Sequence, residues 1–195
     1  MKNFAGICLF VCLVSSPIIA QKVIIKTSLG NITIELYADK APVTVANFLR
    51  YVDEKLYDGG TFYRVVRMDN QPQNPIKIEV IQGGLGDDTT KMLSPIQQET
   101  TQQTGIRHID GTISMARTTP HTATSEFFIC VNSHPELDFG GHRNPDGQGF
   151  AAFGQVVRGM KVVRKIQQGK TKLNPELGMN QTLVKPVIIK YIRRK

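Results

Sequence analysis

Tryptophan is absent from this chain of 195 residues, and cysteine is scarce. Of the three cysteines, Cys8 and Cys12 lie in an apolar stretch near the start, so the rest of the sequence keeps only Cys130. A single cysteine cannot form an intramolecular disulfide, which excludes a disulfide-stapled fold. Cys130 directly follows three apolar residues, a setting that favours a buried thiol over a reactive nucleophile.

Basic clusters are also missing. The sequence has 24 Lys and Arg against 16 Asp and Glu, a formal net charge of +8, but the basic residues are scattered except at the extreme end. A dedicated nucleic-acid-binding protein carries a basic patch or stripe, so we expect no nucleic-acid partner. The proportions of hydrophobic and charged residues, 41% and 21%, suit one compact domain. The 17 Gly and 10 Pro favour a turn-rich β protein over a helical bundle.

Hydrophobic runs long enough to span a membrane are missing too. The longest apolar stretch runs from Phe4 to Val14 after a single charge at Lys2, and Pro17 and Ala20 then supply a helix breaker and a cleavage point. This pattern predicts a signal peptide over residues 1–20, followed by one domain over 21–195 whose net charge, without Lys2, is +7. We expect a periplasmic or secreted protein with no stable membrane association after cleavage. An uncleaved anchor is the alternative.

The common metal and nucleophile motifs do not occur. The histidines are His108, His121, His134 and His142, which lack the close spacing or the cysteine partners of zinc sites. The sequence contains no G-x-S-x-G elbow, and Cys130 has no base near it in sequence. We therefore expect neither a metal site nor a cofactor.

Short alternating segments dominate what is present. They predict about eight strands, over residues 23–27, 32–37, 61–66, 78–81, 112–115, 127–131, 151–157 and 184–192, the last at a sheet edge or beginning near Pro186. Apolar residues three and four apart predict two helices, one from Pro42 towards Gly59 and one from Gly159 to Gln168. The polar stretch 85–110 is predicted as a long loop, either functional or a surface excursion. Because strands outnumber helices and do not alternate with them, we predict a mainly β fold, a closed eight-stranded antiparallel barrel capped by two α-helices.

Ordered motifs between Val23 and Ile192 resemble the cyclophilins, the cyclosporin-binding peptidyl-prolyl cis-trans isomerases, in a divergent bacterial exported branch. The motifs are A-P-V-T-V-A-N-F at 41–48, F-Y-R-V-V at 62–66, I-Q-G-G at 81–84, G-T-I-S-M-A-R at 111–117, S-E-F-F-I at 125–129, L-D at 137–138 and F-G-Q-V-V-R-G-M at 153–160. The resemblance implies a cyclophilin-like eight-stranded barrel and an enzyme that accelerates rotation about X-Pro bonds. Resonance gives such a bond a barrier of roughly 18–20 kcal/mol, but no covalent bond has to break. An apolar pocket and one rigid donor are then sufficient.

The resemblance also implies the site residues. Arg64 in F-Y-R-V-V matches the family's catalytic arginine, and Gln82 in I-Q-G-G matches the glutamine that binds substrate backbone and orients that arginine. Phe128 matches the floor of the proline pocket, and Leu137 matches its wall. The other expected substrate-binding residues are Ala116, Arg117 and Thr118, whose backbone pairs with an extended peptide, together with Glu126 and Phe150. We expect the Arg117 side chain to be exposed.

Several positions depart from the family pattern. An insertion separates Arg64 from Gln82, and the family's pocket Phe and Met fall on Glu79 and Val80, with Met68 as another candidate to fill the space. Glu126 replaces a common Gln, and Glu136 stands where many members have Trp. These changes predict an altered preference for residues flanking proline and weak or no cyclosporin binding.

The sequence therefore predicts a monomeric isomerase that acts on proline-containing unfolded or flexible polypeptides during the folding of exported proteins. A rival interpretation is a noncatalytic proline-peptide binding module or chaperone. Arg64, Gln82 and Phe128 favour the enzyme.

Overall fold

The computed structural model of the chain describes residues 21–86, 88–175 and 178–195. The predicted signal peptide, residues 1–20, lies outside the described residues. Among the described residues, no helix is long and apolar enough to cross a membrane.

Nine strands form one antiparallel sheet. They are β1 (Gln21–Thr27), β2 (Gly30–Leu36), β3 (Thr61–Val66), β4 (Val80–Gly84), β5 (Thr112–Met115), β6 (Phe127–Cys130), β7 (Ala151–Arg158), β8 (Thr171–Asn174) and β9 (Met179–Arg194). Neighbouring strands follow the order β1-β2-β7-β5-β6-β4-β3-β9, and β9 pairs again with β1. Eight strands thus close into the predicted barrel, and closure leaves the ring without an unpaired edge. The ninth strand, β8, pairs only with β9.

Strand alternation fills the barrel interior with apolar side chains. On adjacent strands, Val65, Ile81, Phe127, Ile129 and Ile113 are fully buried in one cluster. Because successive side chains of a strand point to opposite faces, the residues between these positions face the outside of the barrel. The barrel is therefore a solid core, and any binding site has to lie on its outer surface.

Both predicted helices are present. Helix α1 (Pro42–Asp53) has Pro at its first position, where the missing N–H costs nothing, and it packs Phe48 and Val52 into the barrel core. Helix α3 (Met160–Gln167) buries Val163 and Ile166. These two helices cover the barrel as the spacing of apolar residues predicts.

A third, one-turn helix lies inside the stretch predicted as a loop. Helix α2 (Thr101–Thr104) begins with a capping box, in which Thr100 and Gln103 exchange hydrogen bonds, and ends at Gly105 in the left-handed conformation. The T-x-x-Q-x-G spacing is the sequence signal for this turn. The hydroxyl of the buried Thr101 accepts the backbone N–H of Phe139 at 2.8 Å, which ties this turn to the rest of the fold.

The C-terminal strand is longer than predicted, because β9 begins at Met179 and not at residue 184. Strand β9 is not an edge strand, because it pairs with β1, β3 and β8, and Pro186 lies within it and not at its beginning. The register between β3 and β9 shifts between Phe62 and Arg64, so that Phe62 pairs with Val187 and Arg64 with Thr182. Pro186 lies in this irregular stretch, where a missing N–H costs no ladder hydrogen bond.

Candidate active site

A row of outward-facing side chains crosses four strands of the barrel. Arg64 on β3 pairs with Gln82 on β4, Gln82 pairs with Phe128 on β6, and Phe128 pairs with Ser114 on β5. Directly paired residues share one face of a sheet, so the register alone brings these side chains together. Each lies next in sequence to a residue of the barrel core, which fixes the face to which it points.

Three members of this row, Arg64, Gln82 and Phe128, form one side of a cavity of about 390 Å³. The cavity is lined by Arg64, Val66, Asn74, Ile78, Val80, Gln82, Ala116, Arg117, Thr118, Phe128, Leu137, Arg143, Asn144 and Phe150. Eight of the nine predicted site residues are therefore at this cavity, and Glu126 is not.

Arg64 is held at both ends of its guanidinium. Its Nη1 donates to Gln82 Oε1 at 2.7 Å, and its Nε and Nη2 both donate to Gln181 Oε1 at 3.0 and 2.6 Å. These contacts use three of the five N–H groups of an arginine and leave two for a ligand. Burial lowers the pKa of Arg64, an effect that Tyr63 partly offsets, but an arginine stays charged in proteins.

The acceptors of Arg64 are themselves fixed. Gln82 Nε2 donates to the Tyr63 hydroxyl at 2.8 Å, and Gln181 Nε2 donates to the carbonyl of Asn70 at 3.2 Å. Burial raises the pKa of Tyr63 well above its usual range, and the negative charge of Glu126 adds to that rise. Tyr63 therefore remains a neutral partner of Gln82 at physiological pH.

Phe128 belongs to a small apolar cluster outside the barrel. The buried members are Val66, Ile78, Val80, Phe128, Cys130 and Leu137, with Ala116 and Phe150 packed against them. The Phe150 ring meets Phe128 edge-on with ring centroids 5.2 Å apart, and the His108 ring stacks behind Phe128 at 5.9 Å. The Phe128 ring is thus held on several sides and forms an apolar floor.

His108 is buried between two polar partners. Its Nδ1 lies 2.8 Å from Asp138 Oδ1, and its Nε2 lies 3.0 Å from the Ser114 hydroxyl. Burial lowers the pKa of His108, and Asp138 offsets part of that change. A neutral ring that donates from Nδ1 to the carboxylate and accepts the hydroxyl proton at Nε2 satisfies all three groups.

The Arg117 side chain is buried, which corrects the expectation that it is exposed. Its side chain is 1% exposed, forms a bidentate ion pair with Asp146, donates to the carbonyl of Gly149 and lies over the Phe150 ring at 5.2 Å. The hydrogen bonds from Arg117 lower the pKa of Asp146. Arg117 thus holds the loop that carries Phe150 in place, and Asp146 neutralises its charge.

Glu126, predicted to bind substrate, does not line this cavity. Its Oε1 accepts the backbone N–H of Gly86 at 3.1 Å and the Ser125 hydroxyl at 3.2 Å. Residues two apart share a face only within a strand, and Glu126 precedes β6, directly after a bend at Ser125. Its carboxylate fixes the turn after β4.

The apolar wall of the cavity comes from the segment between Arg64 and Gln82. Ile78 and Val80 line the cavity, whereas Glu79 points away and accepts hydrogen bonds from Asn132 and Gln167. Met68 is 47% exposed and does not line the cavity. The apolar wall is therefore supplied by the residues on either side of Glu79.

Sequence reasoning misses two residues with direct roles in the geometry. Gln181 lies 117 positions after Arg64 and meets it only because β9 pairs with β3. Arg143 belongs to a loop without a motif, and it reaches the cavity through contacts with the insertion. Only the register of β9 could have pointed to Gln181, and no sequence signal points to Arg143.

Cys130 is fully buried, and burial raises the pKa of its thiol. Among the residues that the structure describes, no three His, Cys, Asp or Glu side chains gather as a metal site. The cavity instead combines an aromatic and aliphatic floor with a fixed guanidinium. This combination suits a small apolar ring joined to a polar amide.

Comparison with known proteins agrees with this geometry. Residues 22–193 match the family described as "Cyclophilin type peptidyl-prolyl cis-trans isomerase/CLD". The chain is 37% identical to a peptidyl-prolyl cis-trans isomerase of Acinetobacter baylyi, over 94% of this chain and 90% of the relative. It is also 37% identical to peptidyl-prolyl cis-trans isomerase B of Escherichia coli, over 84% of this chain and 92% of the relative.

The fold is likewise that of a solved cyclophilin. A cyclophilin-type isomerase of Cryptosporidium parvum matches with a TM-score of 0.71 and 22% identity, over 91% of this chain and 98% of the other. The same protein was crystallised in the presence of the dipeptide Ala-Pro. On the family match and on relatives of this similarity and coverage, the chain belongs to the cyclophilin-type peptidyl-prolyl cis-trans isomerases.

Proposed function

We propose that Arg64 is the catalytic residue of this isomerase, that Phe128 is the floor of the proline site, and that the clients are exported polypeptides. The observation that carries the catalytic part is the position of Arg64. Its guanidinium lines the same cavity as Phe128 and keeps two N–H groups unused by the described residues.

The chemistry follows from the X-Pro bond. Rotation about it destroys amide resonance, so the proline nitrogen becomes pyramidal and accepts a hydrogen bond only near the transition state. A fixed guanidinium that donates there stabilises the transition state more than the planar ground state. Phe128, Val80 and Leu137 would hold the proline ring while the rest of the peptide turns. A protein of the same fold was crystallised with Ala-Pro, which supports a proline-sized ligand for the site.

A direct isomerisation assay on a proline peptide tests the enzyme against a noncatalytic binding module. We expect the exchange rate between cis and trans peptide, followed by NMR, to rise with native protein and not with Arg64→Ala. Binding of the peptide without any acceleration by native protein would favour the binding module or chaperone.

The exported context is supported by the leader. Lys2, the apolar run from Phe4 to Val14 and Ala20 have the order of a cleavable signal. Expression of the full chain in a Gram-negative host should yield periplasmic or secreted protein with the mass of a chain beginning at Gln21. Leu9→Arg, which interrupts the apolar run, should leave unprocessed protein in the cytoplasm. Full-length mass in the exported fraction, or export of the variant, would contradict the proposal.

We further propose that the protein works as a monomer and binds cyclosporin weakly. One chain supplies every lining residue of the cavity described above, so no partner subunit is needed to complete it. Glu136, where many members have Trp, uses its carboxylate to accept the backbone N–H of His142 at 2.9 Å. Sedimentation equilibrium of the mature protein should give the mass of one chain.

A further inference from the structure

The arginines of this chain divide into two groups. Seven of the ten form ion pairs with carboxylates, namely Arg50, Arg67, Arg107, Arg117, Arg164, Arg193 and Arg194. Arg64, Arg143 and Arg158 have no carboxylate at ion-pair distance among the described residues. Two of these three, Arg64 and Arg143, line the same cavity.

The charge of Arg143 is not balanced within the cavity. No Asp or Glu is among the described residues that line it, and the third arginine there, Arg117, is paired with Asp146. Burial lowers the pKa of Arg143, and the nearby positive charge of Arg64 lowers it further. The cavity thus holds two unneutralised guanidinium groups that repel each other, a situation that a bound anion would relieve.

Arg143 is fixed in place by the insertion. Its Nη1 donates to Gln71 Oε1 at 3.0 Å and also to the carbonyl of Ile76. Gln71 is fully buried, and its Nε2 donates to the carbonyls of Arg67 and Ile78 at 2.8 and 2.7 Å. The guanidinium is therefore oriented before any ligand arrives, which reduces the entropy lost on binding.

These contacts occupy one edge of the guanidinium and leave the other. Both Nη1 hydrogens are used, whereas Nε and Nη2 donate to none of the described residues. Nε–H and one Nη2–H form the parallel pair of donors that binds a carboxylate at two points. Arg143 therefore has a free pair of N–H donors for a carboxylate, in the cavity whose floor is formed by Phe128.

We propose that Arg143 forms a carboxylate-binding subsite next to the proline site, so that this isomerase prefers X-Pro segments with Asp or Glu adjacent to proline. The subsite rests on the proposed seating of proline on Phe128. It assigns a role to the insertion between Arg64 and Gln82, which holds Arg143 in position. A role confined to holding the insertion would use the Nη1 contacts alone and would give no preference among client residues.

The test is a panel of peptides that carry Glu, Gln or Lys directly before or directly after proline. Catalysed rates are divided by the uncatalysed rate of each peptide, because flanking residues change the intrinsic exchange. At one of the two flanks we expect kcat/KM to be about three- to tenfold higher for Glu than for Gln, and lower for Lys, with a ratio that shrinks in high salt.

Variants assign that preference to Arg143. Arg143→Gln should abolish the Glu-to-Gln ratio, and Arg143→Glu should reverse it in favour of Lys, whatever happens to the absolute rates. Arg158→Gln is the matched control, because Arg158 also lacks a carboxylate partner among the described residues but is exposed on β7, away from the cavity. It removes the same charge and should keep the ratio.

Two results separate this subsite from the proposed catalytic function. Equal rates on all peptides by an active native enzyme, or an unchanged ratio in Arg143→Gln, would overturn the subsite and leave the isomerase proposal intact. Affinities of the same peptides for Arg64→Ala, measured by NMR titration, should still favour Glu. If native protein accelerates no peptide but binds the Glu peptides more tightly, the subsite stands and the catalytic assignment fails.

Discussion

The two sides of the cavity are held in place in different ways. The strand side, formed by Arg64, Gln82 and Phe128, is fixed by backbone pairing between β3, β4 and β6. The loop side, formed by Asn74, Arg143 and Asn144, depends on side-chain hydrogen bonds such as that from Arg143 to Gln71. The backbone hydrogen bonds of paired strands fix the positions of several residues together, whereas one substitution can remove a single side-chain hydrogen bond.

This difference implies that the two sides of the cavity affect different properties of the enzyme. The proposed chemistry depends on the strand side, where a small displacement of the guanidinium would misplace the donor to the transition state. On the proposal made for Arg143, the loop side meets residues that flank proline, where a different side chain should alter affinity and leave the central chemistry intact. Damage to the strand side should therefore lower all rates, and damage to the loop side should change ratios between peptides.

The largest effect is expected on the strand side. Arg64→Ala removes the proposed donor and should lower kcat about 10²–10³-fold, because loss of a preorganised donor costs about 2.7–4 kcal/mol. Arg64→Lys should be nearly as poor, since an ammonium lacks the planar fork that Gln82 and Gln181 hold. Circular dichroism and urea unfolding should show folded proteins. A folded Arg64→Ala enzyme with near-native kcat would refute the mechanism.

Phe128 should contribute both to peptide binding and to the stability of the fold. The ring is 5% exposed and packs against Phe150, so Phe128→Ala should lower the free energy of unfolding by about 3 kcal/mol and weaken peptide binding. Phe128→Leu is the matched control, because it keeps most of the volume but loses the flat ring. It should recover most of the stability and little of the binding, as measured by urea unfolding and NMR titration. Unchanged affinity in both variants would mean that proline binds elsewhere.

Gln181 tests whether the position of Arg64 matters apart from its charge. Gln181→Leu removes the acceptor of Nε and Nη2 and should lower kcat about tenfold or more with a smaller change in KM. Gln181→Glu keeps an acceptor oxygen but loses the N–H that reaches Asn70, so it should restore part of kcat. If the two variants are equally slow, Gln181 acts through the fold and is not a positioning residue for Arg64.

The same comparison explains what the sequence could predict. Arg64, Gln82 and Phe128 lie in short motifs on strands, and the pattern of alternation already gives the face to which each points. Gln181 requires the pairing of β3 with β9, which involves residues more than a hundred positions apart and a register shift next to Arg64. Local patterns do not contain that information.

The structure differs from the sequence-based expectations where tertiary contacts decide the outcome. Arg117 is buried because Asp146, on a distant loop, neutralises it. Glu126 accepts the backbone N–H of Gly86 and does not line the cavity. Strand β8 has a polar sequence and forms only against β9, so tertiary pairing overrides its weak local preference. Arg143 belongs to the same class, because its role depends on an insertion without a motif.

Cyclosporin probes the loop side next to Leu137. Glu136 offers a carboxylate that only accepts hydrogen bonds, where the family's Trp offers an N–H and a broad apolar face. Glu136→Trp should raise the affinity for cyclosporin about tenfold or more, since each 1.4 kcal/mol changes affinity tenfold. Inhibition of isomerase activity by the drug measures this for both proteins. Tight inhibition of the native enzyme, or no gain in the variant, would show that Glu136 does not occupy the Trp position.

The smallest effect concerns His108, which lies behind Phe128 and contacts Ser114 on β5 and Asp138 after Leu137. Burial holds the pKa of His108 below that of an exposed histidine, so the unfolded chain takes up a proton at a higher pH than the folded protein. The contribution of His108 is therefore fully present above about pH 6.5, the unperturbed value, and is lost as the pH falls below it.

Asp138 strengthens this expectation without reversing its sign. Burial would raise its pKa, but hydrogen bonds and charges from His108 and Arg107 outweigh burial and lower it. The carboxylate thus stays ionised through the window in which His108 titrates. Urea unfolding at pH 7.5, 6.5 and 5.5 should show a falling free energy of unfolding in native protein and a flatter profile in His108→Asn. His142→Gln, at an exposed histidine, should keep the native slope. A flat native profile, or an unchanged slope in His108→Asn, would mean that folding does not lower the pKa of this histidine.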